Sequence, residues 1–175
     1  MSKNNTVLFI INPISGIKDN KFIAETISNK LNNYKIQFNI IYTTHQGHAK
    51  DYVYTMDSAL YDSILILGGD GTINEVLNGV LLRKDGYLPT FSFLPGGTGN
   101  SVLHDLEYLD PILGLDALIN RRIKYIDVMA LKFTNFIEYS INILGWGLVT
   151  DIAAFAEKIR FIGQSRYDVA SLYHI

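Results

Sequence analysis

The sequence predicts an α/β fold: a doubly wound, mostly parallel sheet, followed by the start of an antiparallel β-rich unit. Short apolar runs alternate with segments of helical periodicity, the pattern of βα units. Three of those runs end in clusters of proline and glycine, as strands leading into tight loops do. Beyond residue 122 the texture changes to adjacent strands with a hairpin signal.

The elements follow in order. TVLFIIN (6–12) is a continuous apolar, β-branched run closed by Pro13, and reads as a buried strand. Phe22, Ile23, Ile27 and Leu31 recur at helical spacing within 21–32. IQFNIIYT (36–43) predicts a second strand and 49–56 a second helix. SILIL (63–67) predicts a third strand, running through GGDGT into a helix over 73–82, and TFSFL (90–94) a fourth, running into PGGTGN (95–100). A helix over 111–120 closes the first part. YIDVMALKF (125–133) and FIEYSINIL (136–144), split by Thr134-Asn135, read as a hairpin. The expected domains are 1–122, an α/β nucleotide-binding unit, and 123–175, the beginning of a β-rich unit that looks incomplete.

The 175 residues are 48% hydrophobic with a net charge of −2, so nothing in the charge balance points to nucleic acid. Zero cysteines exclude disulfides, thiolate metal sites and cysteine catalysis. No signal peptide or membrane-spanning stretch is present, which predicts a cytoplasmic protein. No feature fixes an oligomeric state.

In a parallel sheet all strand carboxyl ends lie on one edge, where ligands bind. On that edge the sequence puts Asn12-Pro13-Ile14-Ser15-Gly16, Gly68-Gly69-Asp70-Gly71-Thr72 and Pro95-Gly96-Gly97-Thr98-Gly99-Asn100. Glycines let backbone N–H groups approach an anion, a following helix N-terminus favours it, and Ser15, Thr72 and Thr98 add hydroxyl donors. One such loop is a weak signal; three converging predict a phosphate site. The pattern is neither G-x-x-x-x-G-K-[ST] nor G-x-G-x-x-G, because Val102 stands where the latter needs its last glycine. The protein-kinase signatures are absent as well.

A carboxylate in a phosphate cradle repels its ligand unless it holds Mg²⁺, directly or through water, or takes a proton from an attacking hydroxyl. Both are tasks of phosphoryl transfer, so Asp70 is the catalytic and metal candidate. Ordering of the turn is its plainer alternative. Thr72-x-x-Glu75 before an apolar run reads as a capping box, a structural role. His45 and His48 are three apart but have no third ligand nearby in sequence, and are not assigned to a metal. His104 and His174 read as surface or packing residues, and Trp146 as a core anchor.

NPISG, GGDGTINEVLNG and LPGGTGNS, in that order, resemble the catalytic domain of diacylglycerol kinases, sphingosine kinases and related lipid kinases. GGDGT is shared with NAD kinases; the Asn74-to-Gly79 continuation together with PGGTGN selects lipid kinases. The resemblance implies a nucleotide domain, a lipid-binding β-sandwich and an active site between them, with ATP and Mg²⁺ as cofactors and a lipid at a membrane surface as substrate. It implies that Asn12, Pro13, Ser15, Gly16 and Thr43 line the nucleotide, and that the glycine loops Gly68, Gly69, Gly71, Thr72 and Gly97, Thr98, Gly99 hold it and its phosphates. Asp70 then activates the lipid hydroxyl.

Residues 142–166 look most like the sphingosine and ceramide kinase branch, where arginines at the positions of Arg160 and Arg166 meet the β-phosphate. The plain alternative is a Glu157–Arg160 surface pair. The acid that holds a sphingoid head group falls at Ala153 here, leaving Asp151 as the acid able to take its place. Ser101 replaces the acid usual after the loop asparagine in bacterial diacylglycerol kinases, so the lipid stays open between branches. The alternatives are an NAD kinase-like enzyme and a non-catalytic nucleotide-binding fragment.

Overall fold

The computed structural model describes residues 6–16, 19–142 and 148–173; the side chains of Leu148, Val149, Arg160, Phe161 and Gln164 lie outside that description. Trp146 and His174 also fall outside the described residues. The chain divides into two compact units, 1–141 and 142–175.

The first unit is built on four strands, β1 (Thr6–Ile11), β2 (Gln37–Tyr42), β3 (Ser63–Gly68) and β4 (Thr90–Pro95), in the order β2-β1-β3-β4 and all parallel. Between them and after them run α1 (Asn20–Asn33), α2 (His48–Thr55), α3 (Asp70–Leu81), α4 (Ser101–Asp105) and α5 (Pro111–Ile119). The apolar run of β1 has a direct physical reason: its side chains alternate between two cores. Val7, Phe9 and Ile11 pack with α1 and with Leu115 of α5, while Leu8 and Ile10 pack with α2, α3 and α4. The same split divides Leu65 and Leu67 from Ile64 and Ile66 in β3. A sheet covered on both faces is the doubly wound arrangement, and the predicted fold class is what the structure contains.

The helix boundaries follow local chemistry. Asp19 caps α1, accepting from the N–H groups of Lys21 (2.9 Å) and Phe22 (3.3 Å). Asp110 caps α5 through Ile112 N–H (2.8 Å), with Pro111 at the first helical position. The C-terminal end of α2 is held by a distant residue: Arg83 Nη1 donates to the carbonyls of Val53, Tyr54 and Met56 at 2.6, 2.9 and 3.1 Å, a cation at a helix C-terminus.

The predicted hairpin forms as β5 (Met129–Lys132) and β6 (Ile137–Ser140), antiparallel, with Phe133 N–H donating to Phe136 C=O at 2.9 Å across Thr134-Asn135. Asn78 of α3 pins it: the side chain donates to Tyr139 C=O and accepts from Tyr139 N–H, both at 2.8 Å. The second unit consists of α6 (Leu148–Lys158), a 3₁₀ segment (Arg160–Ser165) and α7 (Arg166–Tyr173). Among the described residues no helix is long and apolar enough to cross a membrane.

Candidate active site

The strand order reverses between β1 and β3, where a parallel sheet opens a crevice at its carboxyl edge. The loops after β1, β3 and β4 meet there, and their glycines show how closely. A Cβ on Gly16 would lie 2.6 Å from Gly96 O, one on Gly69 3.1 Å from Gly97 Cα, and one on Gly97 2.4 Å from Gly69 Cα. Gly16 and Gly97 are therefore required by loop-on-loop packing before any ligand arrives, and Gly69 sits tight against the same third loop. Gly71 differs: a Cβ there meets nothing within 4 Å, so the protein's own packing does not require a glycine at this exposed position.

Polar side chains fasten the loops. Asn12 Nδ2 donates to Thr72 Oγ1 at 3.0 Å, joining the first loop to the second. Ser15 Oγ donates to Gly96 C=O at 2.8 Å, joining the first to the third. Asn100, in the left-handed region at φ 51°, accepts from Gly97 N–H and donates to Gly97 C=O, both at 2.9 Å. Thr43 is buried at the end of β2, its N–H on Ile11 C=O at 2.8 Å. Asn20 is fully buried beneath the first loop, with Nδ2 within 2.8–3.1 Å of Asn12 O, Ser15 O, Ser15 Oγ and Gly96 O. Nothing in the sequence singles Asn20 out; its partners lie up to 76 residues away.

Asp70 is the first residue of α3, and its carboxylate is tied to the third loop's helix. Oδ2 accepts from Ser101 N–H at 3.1 Å and Oδ1 from Val102 N–H at 3.2 Å. Each oxygen retains a further lone-pair direction. The turn-ordering role and a chemical role are thus not exclusive, since the amides fix where the carboxylate stands. The first turn of α3 has Gly69 as its N-cap and no side-chain cap bond, which leaves backbone donors available to an anion.

The expected capping box does not form. α3 starts at Asp70, three residues before the predicted Ile73, so Thr72 is already inside the helix and cannot be its N-cap. Glu75 reaches instead to α2, where Oε1 accepts from Gly47 N–H at 2.8 Å and Oε2 from Ala49 N–H at 3.2 Å. The rings of His45 and His48 stack with centroids 5.1 Å apart, with Thr44 Oγ1 2.9 Å from His45 Nδ1 and 3.3 Å from His48 Nδ1.

In the second unit, Asp151 is exposed in the first turn of α6. Arg166 is buried, with Nη1 3.2 Å from Glu157 Oε1 and Nη2 donating to Tyr167 Oη at 2.8 Å. Glu157 thus has Arg166 as an ion-pair partner; the side chain of Arg160 is outside the described residues.

The profile of the diacylglycerol kinase catalytic domain matches residues 6–131, which include all three loops and reach into the hairpin's first strand. The chain belongs to this family. It is 33% identical to sphingosine kinase 1 of Arabidopsis thaliana over 188 residues, covering 100% of this chain and 38% of that protein. It is 30% identical to ceramide kinase of Mus musculus, covering 98% of this chain and 36% of that protein. The crystal structure of a diacylglycerol kinase from Bacillus anthracis str. Sterne superimposes with TM-score 0.60 at 31% identity, over 71% of this chain and 45% of the other. The chain thus spans about two-fifths of the length of these relatives. The resemblance read from the three motifs is borne out, including its sphingosine and ceramide kinase branch.

Proposed function

We propose that this chain is the catalytic portion of an ATP- and Mg²⁺-dependent lipid kinase that phosphorylates the primary hydroxyl of a membrane lipid, a diacylglycerol or a sphingoid base. The observation that carries the reading is the meeting of three glycine loops around one carboxylate, with the uncapped first turn of α3 beside it. Phosphoryl transfer needs positioning and charge neutralisation more than covalent chemistry, and this edge supplies both.

In this reading Asp70 accepts the proton of the lipid hydroxyl as its oxygen bonds to the γ-phosphorus. The bond from that phosphorus to the β–γ bridging oxygen breaks, and ADP leaves with the electron pair. Asn12 to Gly16 and Thr43 line the nucleotide, while Gly97, Thr98 and Gly99 hold phosphates. Mg²⁺ fits a site of this kind, because it uses one or two carboxylates with substrate phosphates and retained waters rather than an all-protein cage. Asp70 would hold it, and the ion would neutralise phosphate charge. Among the described residues no cluster of three or more His, Cys, Asp or Glu offers a competing metal site.

Arg160 and Arg166 carry the family's phosphate-contact positions and Asp151 the head-group position. Residues from 123 onward begin the lipid-binding domain. The protein acts in the cytoplasm and docks transiently on the membrane that holds its substrate. The test is radiolabelled transfer from ATP with Mg²⁺ to diacylglycerol, sphingosine, ceramide and NAD in parallel. Transfer to a lipid, abolished in Asp70→Asn, is the expected result. Transfer to NAD alone, or ATP binding without transfer to any acceptor, would sink the lipid kinase assignment.

A further inference from the structure

We propose that Asn20 is a positioning residue of the nucleotide cradle, its buried amide clamping the first and third glycine loops and turning the Gly16 N–H toward the phosphates. The inference rests on the nucleotide reading above.

Asn20 occupies the first position of α1, where Asp19 already supplies the cap, so the helix does not need its side chain. Asparagine is a mediocre helix former, and burying an amide is unfavourable unless it is bonded. The side chain is nevertheless fully buried, and its bonds explain why. Nδ2 has two protons to share among Asn12 O at 2.8 Å, Ser15 Oγ at 2.9 Å, Gly96 O at 3.0 Å and Ser15 O at 3.1 Å. The orientation of the amide is set by these neighbours: reversed, Oδ1 would face three carbonyl oxygens. Oδ1 is buried without a partner, so one acceptor goes unsatisfied to keep the donor in place.

The consequence lies in the peptide planes. In a trans peptide the N–H of one residue points opposite to the C=O of the residue before it. With the carbonyls of Asn12, Ser15 and Gly96 drawn to Asn20, the next residues must present their nitrogens away from it. Residue 13 is proline and has no proton. Gly97 N–H is taken by Asn100 Oδ1 at 2.9 Å. Gly16 N–H has no partner among the described residues. It is the donor the clamp leaves over, on a residue held at φ +70° and too close to Gly96 O to carry a Cβ. A polyphosphate oxygen is the ligand chemistry that fits it.

The test is calorimetric titration of the 175-residue chain with MgATP and, separately, inorganic triphosphate, well below its unfolding temperature, comparing wild type with Asn20→Ala, Asn20→Ser and Asn20→Asp. Circular dichroism checks the fold of each. About a tenfold or greater loss of affinity for both ligands is expected in Asn20→Ala. Asn20→Ser should recover part of it, and Asn20→Asp should be worst, because it sets a carboxylate against three carbonyls. A folded Asn20→Ala or Asn20→Asp chain with wild-type affinity overturns the inference while leaving the nucleotide reading intact; loss of thermal stability alone is what a purely structural role gives. A wild-type chain that binds neither ligand overturns the nucleotide reading, and the inference with it. Should the variants fail to fold, the Gly16 amide resonance of ¹⁵N-labelled wild type decides. It must shift on adding triphosphate, and a stationary signal refutes the proposal.

Discussion

Replacing Glu75 with alanine measures what its unexpected reach contributes. Glu75 accepts two charge-assisted bonds, from Gly47 N–H at 2.8 Å and Ala49 N–H at 3.2 Å, at the start of α2. Hydrogen bonds to a charged group contribute about 1.5–3 kcal/mol each when desolvated, whereas a helix cap alone is worth about 0.5–2 kcal/mol. Glu75 is half-buried and water can replace part of what it supplies, which places the loss at about 2 kcal/mol. For a chain of this size that is about 4–8 °C in Tm. Glu75→Gln keeps one acceptor oxygen but sets an amide group near a second N–H, and should recover about half of that loss. Thermal and urea denaturation of the three proteins read the stability, and hydrogen exchange at Gly47 and Ala49 should quicken in Glu75→Ala. A double-mutant cycle with Thr72→Val separates the two roles of Glu75. A capping box would couple the two sites strongly; with separate partners the coupling stays below about 0.5 kcal/mol. A stability loss in Glu75→Ala under about 0.5 kcal/mol, or strong coupling to Thr72, would refute the bridge to α2.

Asp70→Asn should abolish phosphoryl transfer and also lower Tm by about 2–8 °C, because an asparagine keeps one acceptor where Asp70 offers two to Ser101 and Val102; unchanged stability would show that those bonds contribute little. Gly97→Ala should cost about 3 kcal/mol, its Cβ falling 2.4 Å from a backbone atom, whereas Gly71→Ala should leave stability unchanged or raise it by up to about 1 kcal/mol while weakening ATP binding in calorimetry. Burial pushes the Tyr87 hydroxyl up to about 12, and that hydroxyl has no hydrogen-bond partner. Between the unfolded value near 10 and about 12 the unfolded chain has lost a proton the folded chain keeps, so stability falls as pH rises through that window. Alkaline denaturation of Tyr87→Phe should be shallower there, with neutral-pH stability equal or higher; an unchanged slope would count against it.

Strands and glycine loops were legible in the sequence because their causes are local. Val7 to Ile11 of β1 read as buried on both sides since each of these five side chains meets a core, whichever face it points to. What escaped was every bond whose partner is chosen by the path of the chain. Glu75 sits three residues after a threonine, and the local pattern reads as a box; only the approach of α2, 28 positions earlier, reveals the actual acceptor role. The glycines misled in a finer way. Their number announces close approach, but Gly16, Gly69 and Gly97 approach one another's loops, and among these Gly71 alone keeps an open Cβ position.

The polar residues of GGDGTINEVLNG have one physical logic along α3. Asp70 takes the first amides of α4, Glu75 those of α2, and Asn78 both backbone groups of Tyr139 in β6. Each uses a side chain to satisfy main-chain groups that no ladder or helix satisfies, which is why buried backbone can end or bend at these places without penalty. Because all three project from a single 12-residue helix, the start of α4, the start of α2 and the hairpin are referenced to one rigid element rather than to one another. A shift of any one of them relative to α3 breaks charged or buried bonds. The carboxylate at residue 70 is thereby held in register with the loops before α2 and α4, the precision that a reaction dependent on positioning requires.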